Sequence, residues 1–109
     1  MNSRRVRHRR RYTLDEIWMN FYATDAIEWR NRLLLHYFPL ARFVAVRVIR
    51  QLRETSPDPI RFTKSPIAVA LIAVGRGIDT RPKGDLNEWN PEVVRLVTEA
   101  VTQHVGRRP

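Results

Sequence analysis

Apolar residues recur with a helical period through the first half of the chain. Leu14, Ile17, Trp18, Phe21 and Tyr22 fall at i, i+3, i+4, i+7 and i+8, which lines them along one face of a helix. Thr13 and Glu16 bracket its start as a capping box, the hydroxyl and the carboxylate each satisfying the other's backbone donor. A stripe of this kind is core, so Trp18 and Tyr22 are assigned to packing. Asp25, with Glu28 three residues on, predicts the cap of a second helix carrying Trp29, Leu33 and Tyr37 on one face, with Arg30 close to them. Pro39 suits the first turn of a third helix, where its missing N–H costs nothing, and Leu40, Phe43, Val44 and Val48 form its buried side.

Beyond Leu52 the pattern changes. Pro57, Pro59 and Pro66 make 54–66 a loop or hinge, because proline removes a donor and restricts the residue before it. Ser65 and Pro66 then read as cap and first position of a helix over the apolar run Ile67 to Val74, which Gly75 and Gly77 terminate. A buried strand competes for that run, since Ile67, Val69, Ile72 and Val74 are β-branched. Helix is favoured because no second convincing strand is present to pair with it. Residues 79–89 read as a polar connection. Asn90, Pro91 and Glu92 open a last helix with Val94, Val97, Val101 and Val105 on its apolar face, Gly106 terminates it and residues 107–109 fray.

The expected fold is therefore all-α, a small bundle of four to five short helices in one domain over 13–106, preceded by a disordered basic arm over 1–12. Its parts are three helices in 13–53, the hinge in 54–66 and the remaining helices in 67–106. The expected core is Trp18, Phe21, Leu33, Tyr37, Leu40, Phe43 and Val44.

Charge alters the picture more than composition does. Twenty Lys and Arg against eleven Asp and Glu give a formal charge of +9 over 109 residues, a field that favours polyanionic partners such as nucleic acid or an acidic protein face. Arg4, Arg5, Arg7, Arg9, Arg10 and Arg11 crowd the N-terminal arm, which either lies along a phosphate backbone or stays solvated. Arg42, Arg47, Arg50 and Arg53 fall within about 140° of one another at the helical period. They form either a basic docking stripe or an ordinary solvated face.

Candidate chemistry is sparse. The chain has no cysteine, which excludes disulfides and thiolate sites and suits a reducing, cytoplasmic setting. His8, His36 and His104 have no spacing that pairs imidazoles on one helix, so no metal is expected, and His36 reads as a helix-end histidine. Gly75 and Gly77 lack the rest of a phosphate-binding loop, and Asp15, Glu16, Asp25 and Glu28 read as first-turn charges rather than acid–base pairs. No cofactor and no enzymatic activity are expected. The longest apolar run falls far short of the roughly 20 residues that span a bilayer, so no membrane partner is expected either.

One segment carries a resemblance. Leu14, Trp18 and Tyr22, then Arg30, Arg32 and Leu33, then the block His36, Tyr37, Pro39 and Leu40, and finally Val44, Ala45 and Arg47 resemble the opening helices of a bacterial RNA polymerase sigma factor of the flagellar and sporulation type. The resemblance covers about a third of the chain. In that family the next helix carries an Asp-Leu-rich pattern with Gly-x-x-Gly-Leu; here Leu71, Ile72 and Gly75 echo it, while Ala70 replaces the aspartate. A truncated or diverged relative is implied. The resemblance implies contact with the RNA polymerase core, for which Arg30, Arg32, Arg42 and Arg47 are the expected partner residues. Arg4, Arg5, Arg7, Arg9, Arg10, Arg11, Arg50 and Arg53 are the expected nonspecific DNA contacts. The alternative is a small helical interaction module, a sigma mimic, antagonist or degenerate fragment, that leaves DNA alone.

Overall fold

The computed structural model describes residues 11–57, 59–62 and 64–104. Among the described residues the fold has four helices: α1 Leu14–Thr24, α2 Ile27–Thr55, α3 Pro66–Thr80 and α4 Asn90–His104. No strand occurs among the described residues, so the run from Ile67 is helical. Helices α2, α3 and α4 pack on one another in all three pairings, whereas among the described helices α1 packs on α2 alone and otherwise meets the loop after α3.

Local chemistry explains the boundaries. The Glu16 N–H donates to the Thr13 hydroxyl at 3.1 Å and the Thr13 N–H to the Glu16 carboxylate at 2.9 Å, completing the capping box. Asp25 closes α1 rather than opening α2: it takes the left-handed conformation, φ 56°, and its N–H returns to the Phe21 carbonyl. Aspartate tolerates that region better than most residues. The N-cap of α2 is instead Ala26, which provides no side-chain cap. Ser65 caps α3 through the Ala68 N–H, with Pro66 in the first turn.

Pro39 starts no helix. It lies inside α2, which runs unbroken for 29 residues and replaces the two helices expected there. Pro39 cannot bond the Leu35 carbonyl, but it is exposed and Leu35 is 73% exposed, so the lost bond lies on the solvent side where water can replace it. An unbroken helix also carries its phase through: Leu33, Tyr37, Ala41, Val44 and Val48 form one buried line, with Ala45 beside it. Phe43 falls off that line and is 62% exposed, while Leu40 is half-buried. His36 accordingly sits mid-helix, exposed and edge-on to Tyr37, instead of at a helix end.

Gly75 and Gly77 do not terminate α3, which continues to Thr80. They are sites of close approach. A Cβ on Gly75 would lie 2.7 Å from Arg30 Nη2, and one on Gly77 would lie 2.5 Å from Leu96 Cδ1 and 3.0 Å from Trp89 Cζ2. On α4 the buried face is Val93, Val97 and Val101, with Val94 exposed. The expectations for Val105, Gly106 and residues 107–109, and for the arm up to Arg10, fall outside the described residues.

Candidate functional site

The exposed face of α2 brings together two sets of arginines that the sequence reading had given separate roles. Arg42, Arg47, Arg50 and Arg53 are all exposed, and none forms an ion pair among the described residues. Because α2 is continuous, the twelve residues from Arg42 to Arg53 span about 16 Å on one rigid rod. Arg11 is exposed, and Arg4, Arg5, Arg7, Arg9 and Arg10 lie outside the described residues.

Arg30 and Arg32 are committed elsewhere. The Arg30 guanidinium grips Asp79 through Nε at 2.7 Å and Nη2 at 3.0 Å, joining α2 to α3 across 49 residues of sequence. That hydrogen-bonded pairing raises the arginine pKa further, outweighing the opposing effect of partial burial. Arg32 lies over the rings of Tyr12 and Trp29, 5.2 and 5.3 Å from their centroids, and so ties the segment ahead of α1 to the start of α2.

A second cluster lies where α1, α2 and the 81–89 loop meet. The Trp18 indole N–H donates to the Tyr37 hydroxyl at 3.0 Å, and the Trp89 ring stands edge-on to both, 5.3 Å from Trp18 and 5.1 Å from Tyr37. Arg81 covers the open face of Trp18 at 4.4 Å. Its Nη2 donates to the Asn87 carbonyl and lies 3.6 Å from Asp85, while its buried Nε has no partner among the described residues. The Tyr22 hydroxyl donates to the Asp85 carbonyl at 3.0 Å, fixing the loop from the other side. Burial pushes the Tyr37 and Tyr22 hydroxyl pKa values upward, because the phenolate would be poorly solvated.

This cluster corrects the reading of 79–89 as a simple polar connection. Arg81 and Trp89 are buried, and the Asp85 and Asn87 carbonyls accept from Tyr22 and Arg81 of this aromatic box. A tryptophan directly ahead of the Asn90, Pro91 helix start was the one signal of an anchor there. Nothing in the local pattern marks Arg81 among so many arginines.

Surface depressions among the described residues include one of about 480 Å³ beside Arg81, Asp85 and Trp89, and two more along α2. One, of about 650 Å³, lies between α2 and α3, lined by Leu34, Leu35, Phe38, Leu71 and Ile72 with Arg30 and Arg76 at its margins. The other, about 310 Å³, lies between α2 and α4 beside Phe43, Arg47 and Val94. Among the described residues no group of three or more His, Asp or Glu could hold a metal ion, and no helix is long and apolar enough to cross a membrane. No family model, curated protein or solved structure matches the chain.

Proposed function

We propose that the protein is a non-enzymatic, sigma-like helical module of the cytoplasm that docks on the RNA polymerase core through α2 and touches DNA without sequence selectivity. Arg42 and Arg47 contact the polymerase. Arg50 and Arg53, with the arginines of 4–11, contact phosphates. The supporting observation is the set of exposed, unpaired arginines along α2, within the segment that resembles the sigma opening helices. Unpaired guanidinium groups on a rigid rod need break no internal ion pair before meeting an external carboxylate or phosphate. Arg30 drops out of the docking set because Asp79 holds it, and Arg32 contributes only by leaving its two rings.

Reversing charge at Arg42 and Arg47 is expected to weaken retention of polymerase core on immobilised protein while leaving the helical circular-dichroism signal intact. Failure of the wild-type protein to retain polymerase at any salt concentration refutes the docking. DNA affinity should fall steeply with salt, and deleting residues 1–11 should flatten the slope of log affinity against log salt. A second reading, an interaction module that leaves DNA alone, draws on the uncovered apolar groove between α2 and α3. DNA binding measured without polymerase separates the two.

A further inference from the structure

We infer that the groove between α2 and α3 is the seat of an amphipathic helix from another protein, one whose apolar stripe is flanked by carboxylates. The inference deepens the interaction reading and depends on neither polymerase nor DNA. Leu35 is 73% and Ile72 50% exposed, one from each wall of a groove whose other apolar lining is Leu34, Phe38 and Leu71. The groove leaves apolar surface from both helices open to an outside partner. Two packed helices offer a third the spacing that helix-in-groove recognition uses, with anchors at i, i+3 or i+4, and i+7.

The charges select the occupant. None of the residues lining the groove is acidic. Arg76 stands one helical turn beyond Ile72, exposed and without an ion pair among the described residues, and Arg42 stands one turn beyond Phe38 in the same condition. Asp79, the acidic group tied to this margin, has both oxygens held by Arg30. A second copy of the chain would bring another +9 to the contact, and the chain's own N-terminal segment would bring Arg4, Arg5, Arg7, Arg9 and Arg10. Both are disfavoured by like charge, and an acidic helix is favoured by the same field.

The test uses the full chain and two labelled helical peptides of about 20 residues, roughly 30 Å long, with identical leucine stripes flanked by glutamate in one and by lysine in the other. Fluorescence anisotropy should show the glutamate peptide binding about tenfold or more tightly than the lysine peptide. Leu35→Glu and Ile72→Glu, at exposed positions that leave the core untouched, should each abolish that binding with unchanged circular dichroism. Arg76→Glu should shift the preference toward the lysine peptide, an effect a merely structural role would not produce. Equal affinity for both peptides, no binding of the glutamate peptide, or unaltered binding by Leu35→Glu overturns the inference. So does sedimentation showing a dimer that Leu35→Glu dissociates, since a second copy would then cover the groove. Loss of polymerase retention alone leaves these measurements unaffected, so the two proposals fail separately.

Discussion

The continuity of α2 makes Leu33→Ala and Phe43→Ala a decisive pair. Leu33 is fully buried, and truncation removes three carbons worth about 0.8 kcal/mol each in transfer, with a cavity cost added because the surrounding helices close only partly. The expected loss is about 3–4 kcal/mol. Phe43 is 62% exposed, so only about a third of a side-chain burial of roughly 3 kcal/mol is at stake, or about 1 kcal/mol. Urea unfolding followed by tryptophan fluorescence reads both variants, since Trp18 and Trp89 are buried in the native state and emerge on unfolding. At about 4–8 °C per kcal/mol for a domain near this size, Leu33→Ala should lower Tm by more than ~10 °C, well beyond the effect of Phe43→Ala. If Phe43→Ala costs as much as Leu33→Ala, α2 is broken at Pro39, its second half has a different phase, and the packing described above is wrong.

Three further outcomes follow from the close contacts and the aromatic box. Gly77→Ala should destabilise by about 1 kcal/mol, overpacking against the rigid Trp89 ring outweighing the gain in helix propensity. Gly75→Ala should cost less because its clash is with the end of the partly exposed Arg30 side chain, which can shift by loosening its Nη2 bond to Asp79; thermal melts giving the reverse order would refute the assignment. Tyr37→Phe should cost about 1–3 kcal/mol in urea unfolding by leaving the buried Trp18 N–H without an acceptor, and an unchanged midpoint would show that bond to be immaterial. The raised Tyr37 and Tyr22 pKa values mean that the folded state resists ionisation more than the unfolded chain does. Their contribution is therefore complete below the ordinary value of 10.0 and is lost as pH rises through the folded pKa. Tyrosinate absorbance should lag in native protein relative to urea-unfolded protein, and coincident titrations would contradict it.

Where a helix start depends on a few adjacent residues, the sequence was readable. Thr13 with Glu16 and Ser65 each satisfy first-turn donors locally, Pro66 and Pro91 stand in first turns where no donor is needed, and each group marks a helix start. Apart from Asp25, whose left-handed backbone closes α1 instead of capping α2, the errors arise where a residue's conformation is decided by a distant neighbour or by solvent. Pro39 is tolerated because it faces water, and Gly75 and Gly77 are kept small by Arg30, Trp89 and Leu96 rather than used as stops. Misplacing the break at Pro39 also misassigned Phe43, since a helix restarted there need not inherit the phase of Leu33. Of the candidate site, the exposure of Arg42, Arg47, Arg50 and Arg53 was legible from helical period alone. The capture of Arg30 by Asp79 was not, because 49 residues separate the partners and no local pattern joins them.

The aromatic box also bears on the order in which the chain folds. Helices adjacent in sequence can meet with short loops closed, a route that is fast because little chain entropy is lost before contacts form. Arg81 and Trp89 are different: they lie 63 and 71 residues beyond Trp18 in sequence (81 − 18 and 89 − 18) and meet it only when α1 and the 81–89 loop have both arrived on α2. The contacts of Arg81 and Trp89 with Trp18 are therefore expected on the late side of the folding barrier, where Trp89→Phe should speed unfolding more than it slows folding. The box is in that sense a latch, closing last over helices that have already found one another.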